Sequence, residues 1–222
     1  MAEGDPFKLL GLLVDCKLTM LPAVEKILSQ IRPKVRAILR SKRYYEVKEL
    51  ISQFKTHIWG SMECHSGGLF HASDTALQKL DQVHYHFLRE LGVDARQAFT
   101  EFNFAPPVLR RNIGILGLLH KRVLGLSHPI FQRLLPFHVE VFGSLPAGGH
   151  NKQLYGHLHE VSFQMVMFCQ SIFGLVHVYN RLPQNVVDCE TISNFQRCLT
   201  LSAREACRDG VEDWALSFSS RV

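Results

Sequence analysis

The stretch SDTALQKLDQVHYHFLRELG at residues 73–92 decides the fold class. Leu77, Leu80, Phe87, Leu88 and Leu91 fall at helical spacings, which at about 100° per residue lay one apolar stripe along a helix. Ser73, Asp74 or Thr75 can accept from the free amides at its start, and Gly92 supplies a left-handed stop. His84 lies on the apolar face, as a packed histidine rather than a ligand, and His86 points outward.

Working outward, the same period recurs. Val24, Ile27, Leu28, Ile31, Val35, Ile38 and Leu39 share one face, with Pro33 inside the segment expected to kink or divide it. Val47, Leu50, Ile51, Phe54 and Ile58 repeat the pattern, and Gly60 with Ser66-Gly67-Gly68 weakens any continuation. Toward the C-terminus, a short helix is expected over 94–102 and another from Pro107 to about Leu124. In the latter, Gly114 and Gly117 leave room for a neighbouring helix. One or two turns are expected over 128–135, an apolar helix over 157–179, and a last helix from Thr191 to Gly210, with Trp214 and Phe218 folding back. Leu9 to Val14 alone reads as a strand. The expected fold class is mainly α, a multi-helix bundle-like array with at most one short N-terminal strand. Pro146, Gly148 and Gly149 make 136–156 the expected loop or linker.

Composition narrows the function classes. A chain of 222 residues with a formal charge of +5 permits a polyanionic partner without demanding one. Six cysteines and no secretory signal point to free thiols in an intracellular, reducing compartment, nucleus or cytoplasm. The uncharged run 163–178 is shorter than the roughly 20 residues a bilayer span needs, so no membrane partner is expected.

Catalytic patterns are missing. Nucleotidyl transfer needs carboxylates that hold two metal ions, and the chain has no Asp-Asp pair. Asp15 reads as a turn residue after the strand. There is no nucleophile elbow, and Gly148-Gly149-His150-Asn151-Lys152 lacks both the preceding strand and the Ser or Thr of a phosphate loop. Cys64, His65 and His71 lack a second close pair. Cys189, Cys198 and Cys207 recur every nine residues, which on one helix alternates their sides. No catalytic residue, metal, cofactor or small-molecule substrate is expected.

One electrostatic feature remains. Arg32, Arg36, Arg40 and Arg43, with Lys34 and Lys42, form a stripe beside the apolar face of the first long helix; over 32–48 there are seven Lys or Arg and one Glu. Guanidinium forks suit phosphate oxygens, although such stripes are also solvated flanks. Arg110, Arg111, Lys121 and Arg122 bracket a second helix and extend the candidate surface. Aromatic residues are not interleaved with these runs, so base stacking is not indicated.

Six strings in order then resemble one family. They are LGLLVDCKLTM (10–20), FKTHIWGSMEC (54–64), LDQVHYHFLRELG (80–92), APPVLRRNIGILGLLHK (105–121), VYNRLP (178–183) and ISNFQRCL (192–199). Together they resemble the thumb-like and C-terminal helical region that follows the polymerase core in non-LTR (LINE-type) retrotransposon reverse transcriptases. Phe54 and Cys64 stand where that pattern has tyrosines, His84 where it has glutamine, and Pro107 and Asn112 also depart. The Asp-Asp core is missing, as is any endonuclease signature. The resemblance implies a truncated or separately encoded, non-catalytic tail: a thumb-like helical domain over 1–135, the loop 136–156, and a helical segment over 157–222 packed on the first part. The implied partners are the backbone of RNA or an RNA–DNA duplex, met through Arg32, Lys34, Arg36, Arg40, Lys42, Arg43, Arg110 and Arg111, and a reverse transcriptase core in cis or trans. A helical protein-interaction module, docking through 157–179 and the Gly114/Gly117 face, is the alternative. A retroelement relic without function is another.

Overall fold

The computed structural model describes residues 7–9, 11–144, 149–156 and 168–221, which are mainly helical with one N-terminal hairpin. The chain forms two compact units, Met1–Pro107 and Val108–Val222. That division falls earlier than the 136–156 segment picked out by sequence punctuation, at the break made by Ala105-Pro106-Pro107.

In the first unit, β1 (Phe7–Leu9) pairs antiparallel with β2 (Leu12–Val14), Leu9 opposite Leu12. The single expected strand is therefore two, because Gly11 at φ +90° reverses the chain between them. Three-residue strands are marginal alone. Here Leu12 and Val14 are buried in the helical core, and Gly68 makes room: a Cβ there would sit 2.7 Å from Leu12 Cδ2.

Asp15 holds the connection to the first long helix, α1 (Leu21–Arg40). Its Oδ1 accepts from Met20 N at 2.8 Å, and its Oδ2 from Thr19 N at 3.2 Å and Thr19 Oγ1 at 2.9 Å. Burial raises the carboxyl, but these donors outweigh it and hold Asp15 below the usual carboxylate range. The turn reading of Asp15 thus stands. Helix α1 runs through Pro33 undivided. Pro33 and Ser29, whose carbonyl loses its amide partner, both face solvent, so water can replace the missing bond. Packing of the opposite face on α2, α5 and β2 holds the helix together.

A capping box at Glu46 and Glu49 starts α2 (Val47–Phe54), which continues through a π-helical turn (Lys55–Trp59) into α3 (Gly60–Glu63). Phe54, Ile58 and Met62 are buried at steps of four, more than the ~3.6 residues of an α-turn. Underwinding over these five residues keeps all three facing inward, and so carries the helix past Gly60. After α4 (Ser66–Leu69), Ser73 caps α5 (Asp74–Leu91) by accepting from Ala76 N at 3.4 Å, and Gly92 ends it at φ +70°. Each fully buried Leu or Phe on this stripe contributes about 1.5–3 kcal/mol. His84 is buried on it, 4.4 Å from Phe104 ring to ring, beside Phe54 and Phe87 at 4.6 Å from one another. Helix α6 (Ala95–Phe102) completes the unit.

The second unit begins with α7 (Pro107–Val123) and α8 (Pro129–Leu134). The expected loop 136–156 carries α9 (His138–Phe142) and an antiparallel bridge between Phe137 and Leu154. Of the apolar helix expected over 157–179, residues 157–167 lie outside the described residues. The remainder is interrupted before α10 (Gly174–Asn180). Ser171 Oγ donates to Phe168 O at 2.7 Å and accepts from Phe173 N at 3.2 Å, taking bonds that a helix would make along its backbone. Helices α11 (Gln184–Val187) and α12 (Ile192–Arg208) follow, the latter capped by Thr191. Phe195, Leu199, Ala203 and Cys207 line its buried face, and Trp214 and Phe218 are buried after it, as expected. Gly117 permits close packing, since a Cβ there would collide with the Gln196 side chain of α12; Gly114 faces open space. Among the described residues, no helix is long and apolar enough to cross a membrane.

Candidate nucleic-acid interface

Six of the eight basic residues singled out lie on or just after α1, and all six (Arg32, Lys34, Arg36, Arg40, Lys42 and Arg43) are exposed. The apolar face of α1 is committed to α2, α5 and β2, so its basic flank is left on the surface beside α5. Two adjoining depressions lie there. One, of about 270 Å³, is lined by Arg32 and Arg36 from α1 and by Lys79, Gln82 and His86 from α5. The other, of about 680 Å³, is lined by Pro33, Arg36, Arg40, His86 and Glu90. Arg36 and His86 border both, which makes a continuous groove with arginines along one wall.

The second wall escaped sequence reasoning. Lys79, Gln82 and His86 recur at steps of three and four on α5, a polar stripe beside the apolar one, but only the pairing of α1 with α5 brings them to the arginines. Two carboxylates temper the charge: Glu25 lies 3.5 Å from Lys79 Nζ, and Glu90 lies 4.0 Å from His86 Nδ1. Both pairs are exposed and worth little to stability. Arg89 donates to His86 Nδ1 at 3.1 Å if that nitrogen carries no proton, which would hold the ring at the groove edge.

The other basic residues serve different ends. Lys42 Nζ donates to the carbonyl of Glu90 in the last turn of α5, satisfying an orphan acceptor where the helix dipole favours a cation. Arg43 follows, its guanidinium 5.4 Å from the centroid of the Tyr44 ring. Tyr44 and Tyr45 are 74% and 47% exposed, so aromatic surface adjoins the basic stripe after all. The cue was the sequence Arg43-Tyr44-Tyr45, adjacent to the run rather than interleaved with it.

Arg110 and Arg111 belong to α7 in the second unit. Arg111 is only 6% exposed and Arg110 is half-buried, so Arg111 is not offered to a phosphate backbone. Arg122 is likewise buried: its Nε donates to Leu135 O at 3.0 Å, its Nη2 lies 3.6 Å from Glu140, and its guanidinium covers the Phe137 ring at 4.5 Å. It clamps the start of α9 instead of extending a surface.

The remaining polar constellations are structural in character. His120 Nε2 lies 2.8 Å from the Cys189 carbonyl, its Nδ1 lies 3.0 Å from Tyr179 Oη, and its ring stacks on Phe195 at 4.1 Å. His150 Nε2 lies 3.0 Å from the Tyr179 carbonyl, and its Nδ1 accepts from Lys152 N at 3.1 Å. A carbonyl only accepts, so in each ring Nε2 carries the proton and Nδ1 is the acceptor. Burial pushes both imidazoles below their usual range and the Tyr179 phenol above its own. Lys152, in the segment that superficially resembles a phosphate loop, lies 3.0 Å from Asp188 and 3.3 Å from Val187 O. Its ammonium is occupied at the end of α11.

The cysteine reading needs one correction. Cys189 precedes α12 instead of lying on it, so the nine-residue spacing does not separate it from Cys198; the two sulfurs are 3.8 Å apart. Among the described residues, no three His, Cys, Asp or Glu side chains gather as a metal site. No protein-family model, curated protein or solved structure matches the chain. The likeness to retrotransposon reverse transcriptases therefore rests on the quoted residues alone.

Proposed function

We propose that the first unit is a non-catalytic, thumb-like grip for the sugar–phosphate backbone of RNA or an RNA–DNA duplex. The observation that carries this reading is the groove between α1 and α5, with Arg32, Arg36 and Arg40 opposite Lys79 and His86. Arginine forks on a fixed helix can meet successive phosphates with little loss of freedom. The proposed contacts are to phosphates, which carry no sequence information, so recognition is independent of sequence. Arg32, Lys34, Arg36, Arg40 and Arg43 are the proposed contacts. Arg111 is dropped because it is buried, and Lys42 contributes mainly by fixing α1 to α5. The sequence resemblance supports the same reading and supplies the polymerase core, in cis or trans, as the neighbour such a grip would serve.

Backbone binding of this kind releases counterions. The five proposed phosphate contacts imply a slope of about −3.5 to −4.5 in log K against log salt. Anisotropy titration of a labelled RNA–DNA duplex at several salt concentrations tests it. Replacing Arg32, Arg36, Arg40 and Arg43 by Ala, a good helix former at the first three, exposed on α1, should flatten the slope and abolish most binding. An unchanged slope, or no salt-sensitive binding by the natural sequence, sinks the proposal.

A protein-interaction role has one specific observation in its favour. Helices α8 and α9 bury none of their residues, and Ile130, Leu134, Val139 and Phe142 are exposed. The Gly114/Gly117 face does not serve that reading as expected, because Gln196 of the same unit already packs at Gly117.

A further inference from the structure

The stripe on α1 ends in an aromatic corner. Tyr44 is 74% exposed and Tyr45 47%, in a turn between α1 and α2 where neither ring is buried in the core. The turn is nonetheless firmly held. Ser41 Oγ donates to Ile38 O at 2.7 Å, Tyr44 N donates to Ser41 O at 2.8 Å, and Lys42 ties the turn to the end of α5. The capping box at Glu46 and Glu49 fixes its far side. The tyrosines are thus presented on an ordered support, so less freedom is lost when a planar ligand settles on them. Arg43 lies 5.4 Å from the Tyr44 ring centroid, adding positive charge beside the ring.

We infer that Tyr44 and Tyr45 form a stacking platform for an unpaired base, placed where a nucleic acid lying along the α1 groove leaves it. Arg40 and Arg43, the last two arginines of the stripe, adjoin the platform along the chain, so the phosphates flanking that base meet cationic side chains. Glu46 is the sole acidic residue among 32–48, and the carboxylate of nearby Glu49 accepts from its backbone amide. A π-face beside a basic track suits single-stranded nucleic acid, because every base offers a face to stack. The ligand is then a duplex with a single-stranded extension, rather than duplex alone. This rests on the backbone-grip reading and deepens it.

The test compares two labelled RNA–DNA duplexes, one blunt and one with a short single-stranded overhang, by anisotropy at several salt concentrations. The natural sequence should prefer the overhang by about five-fold or more, the scale of stacking one base. Tyr44→Ala with Tyr45→Ala should lose that preference yet bind the blunt duplex as before, and Tyr44→Phe with Tyr45→Phe should retain it. Circular dichroism checks that the variants are folded. If the blunt duplex is bound in a salt-sensitive way but the overhang adds nothing, the platform is wrong and the grip survives. A preference that persists in the double Ala variant also overturns the platform. Binding to neither duplex overturns both, and leaves a protein partner as the use of the two rings.

Discussion

Replacing His120 by Phe tests the second unit where its polar packing is densest. The phenyl ring keeps the stack on Phe195, set at 4.1 Å and 6° between planes, so shape and apolar contact are largely preserved. What is lost is a pair of hydrogen bonds, from Nε2 to the Cys189 carbonyl at 2.8 Å and from the Tyr179 hydroxyl to Nδ1 at 3.0 Å. Leaving a buried donor or acceptor without a partner costs about 1–3 kcal/mol each, so His120→Phe should lose about 2–6 kcal/mol. Tyr179→Phe removes one of the two bonds and should lose less. Since it also removes the stranded hydroxyl, the double variant should fall short of the sum of the two losses.

The pH dependence has a definite sign. Burial lowers the imidazole, so the native state holds His120 neutral, and stability is complete above the ordinary value of ~6.5. It is lost as pH falls through the lower native value, because the unfolded chain binds the proton more readily. His120→Phe should therefore flatten the acid limb, and His150, lowered by burial as well, accounts for what remains. Urea unfolding followed by Trp214 emission in a Trp59→Phe background, between about pH 8 and about pH 5, reads both effects. A His120→Phe variant within about 0.5 kcal/mol of the natural sequence, or stability that rises on acidification, would refute this account.

Asp15→Ala removes three hydrogen bonds at the entry to α1 and should cost about 1–2 kcal/mol by thermal unfolding. Because its native carboxyl is held low, that contribution is present above ~3.9 and disappears as pH falls through the native value. Gly114→Ala should raise the melting temperature, gaining up to ~1 kcal/mol of helix propensity in open space. Gly117→Ala should fail to do so, because the new methyl group displaces Gln196; equal gains at both sites would contradict the packing of α7 on α12. Burial and the neighbouring Cys198 thiol push Cys189 up, so peptide mapping after brief alkylation near neutral pH should find exposed Cys16 and Cys64 modified first, with Cys189 catching up as pH rises.

The legible parts of the fold were those decided within one helix. The stripes of α1 and α5, the caps at Ser73 and Gly92 and the start of the last helix at Thr191 follow from spacing and local hydrogen bonding, and the structure has them where expected. The hairpin was not legible as two strands, because three residues on each side of Gly11 are too few to establish an alternation. Ser171 interrupts a helix by a side-chain bond that apolar periodicity does not register. In the candidate site, the arginine wall could be read from a single helix, whereas Lys79, Gln82 and His86 joined it only through the pairing of α1 with α5. Arg110 and Arg111 show the limit of charge counting: adjacent residues on a helix point about 100° apart, and one of them turns inward.

Tyr179 is the point at which distant parts of the second unit meet. Its hydroxyl reaches His120, 59 residues earlier, its carbonyl reaches His150, 29 residues earlier, and its ring lies 5.9 Å from that of Phe195. In order of synthesis, the first two partners emerge from the ribosome long before the residue that joins them, and the last emerges after it. These long-range closures can form only once α10 and α12 have been made, and closing such loops before their contacts repay the entropy slows folding. Unit one has all its residues by Pro107, so the expected order during translation is first unit, then second. A ribosome-bound chain halted before Phe195 would carry the apolar face of α7 without its α12 neighbour, and α7 amides already protected at that length would contradict this order.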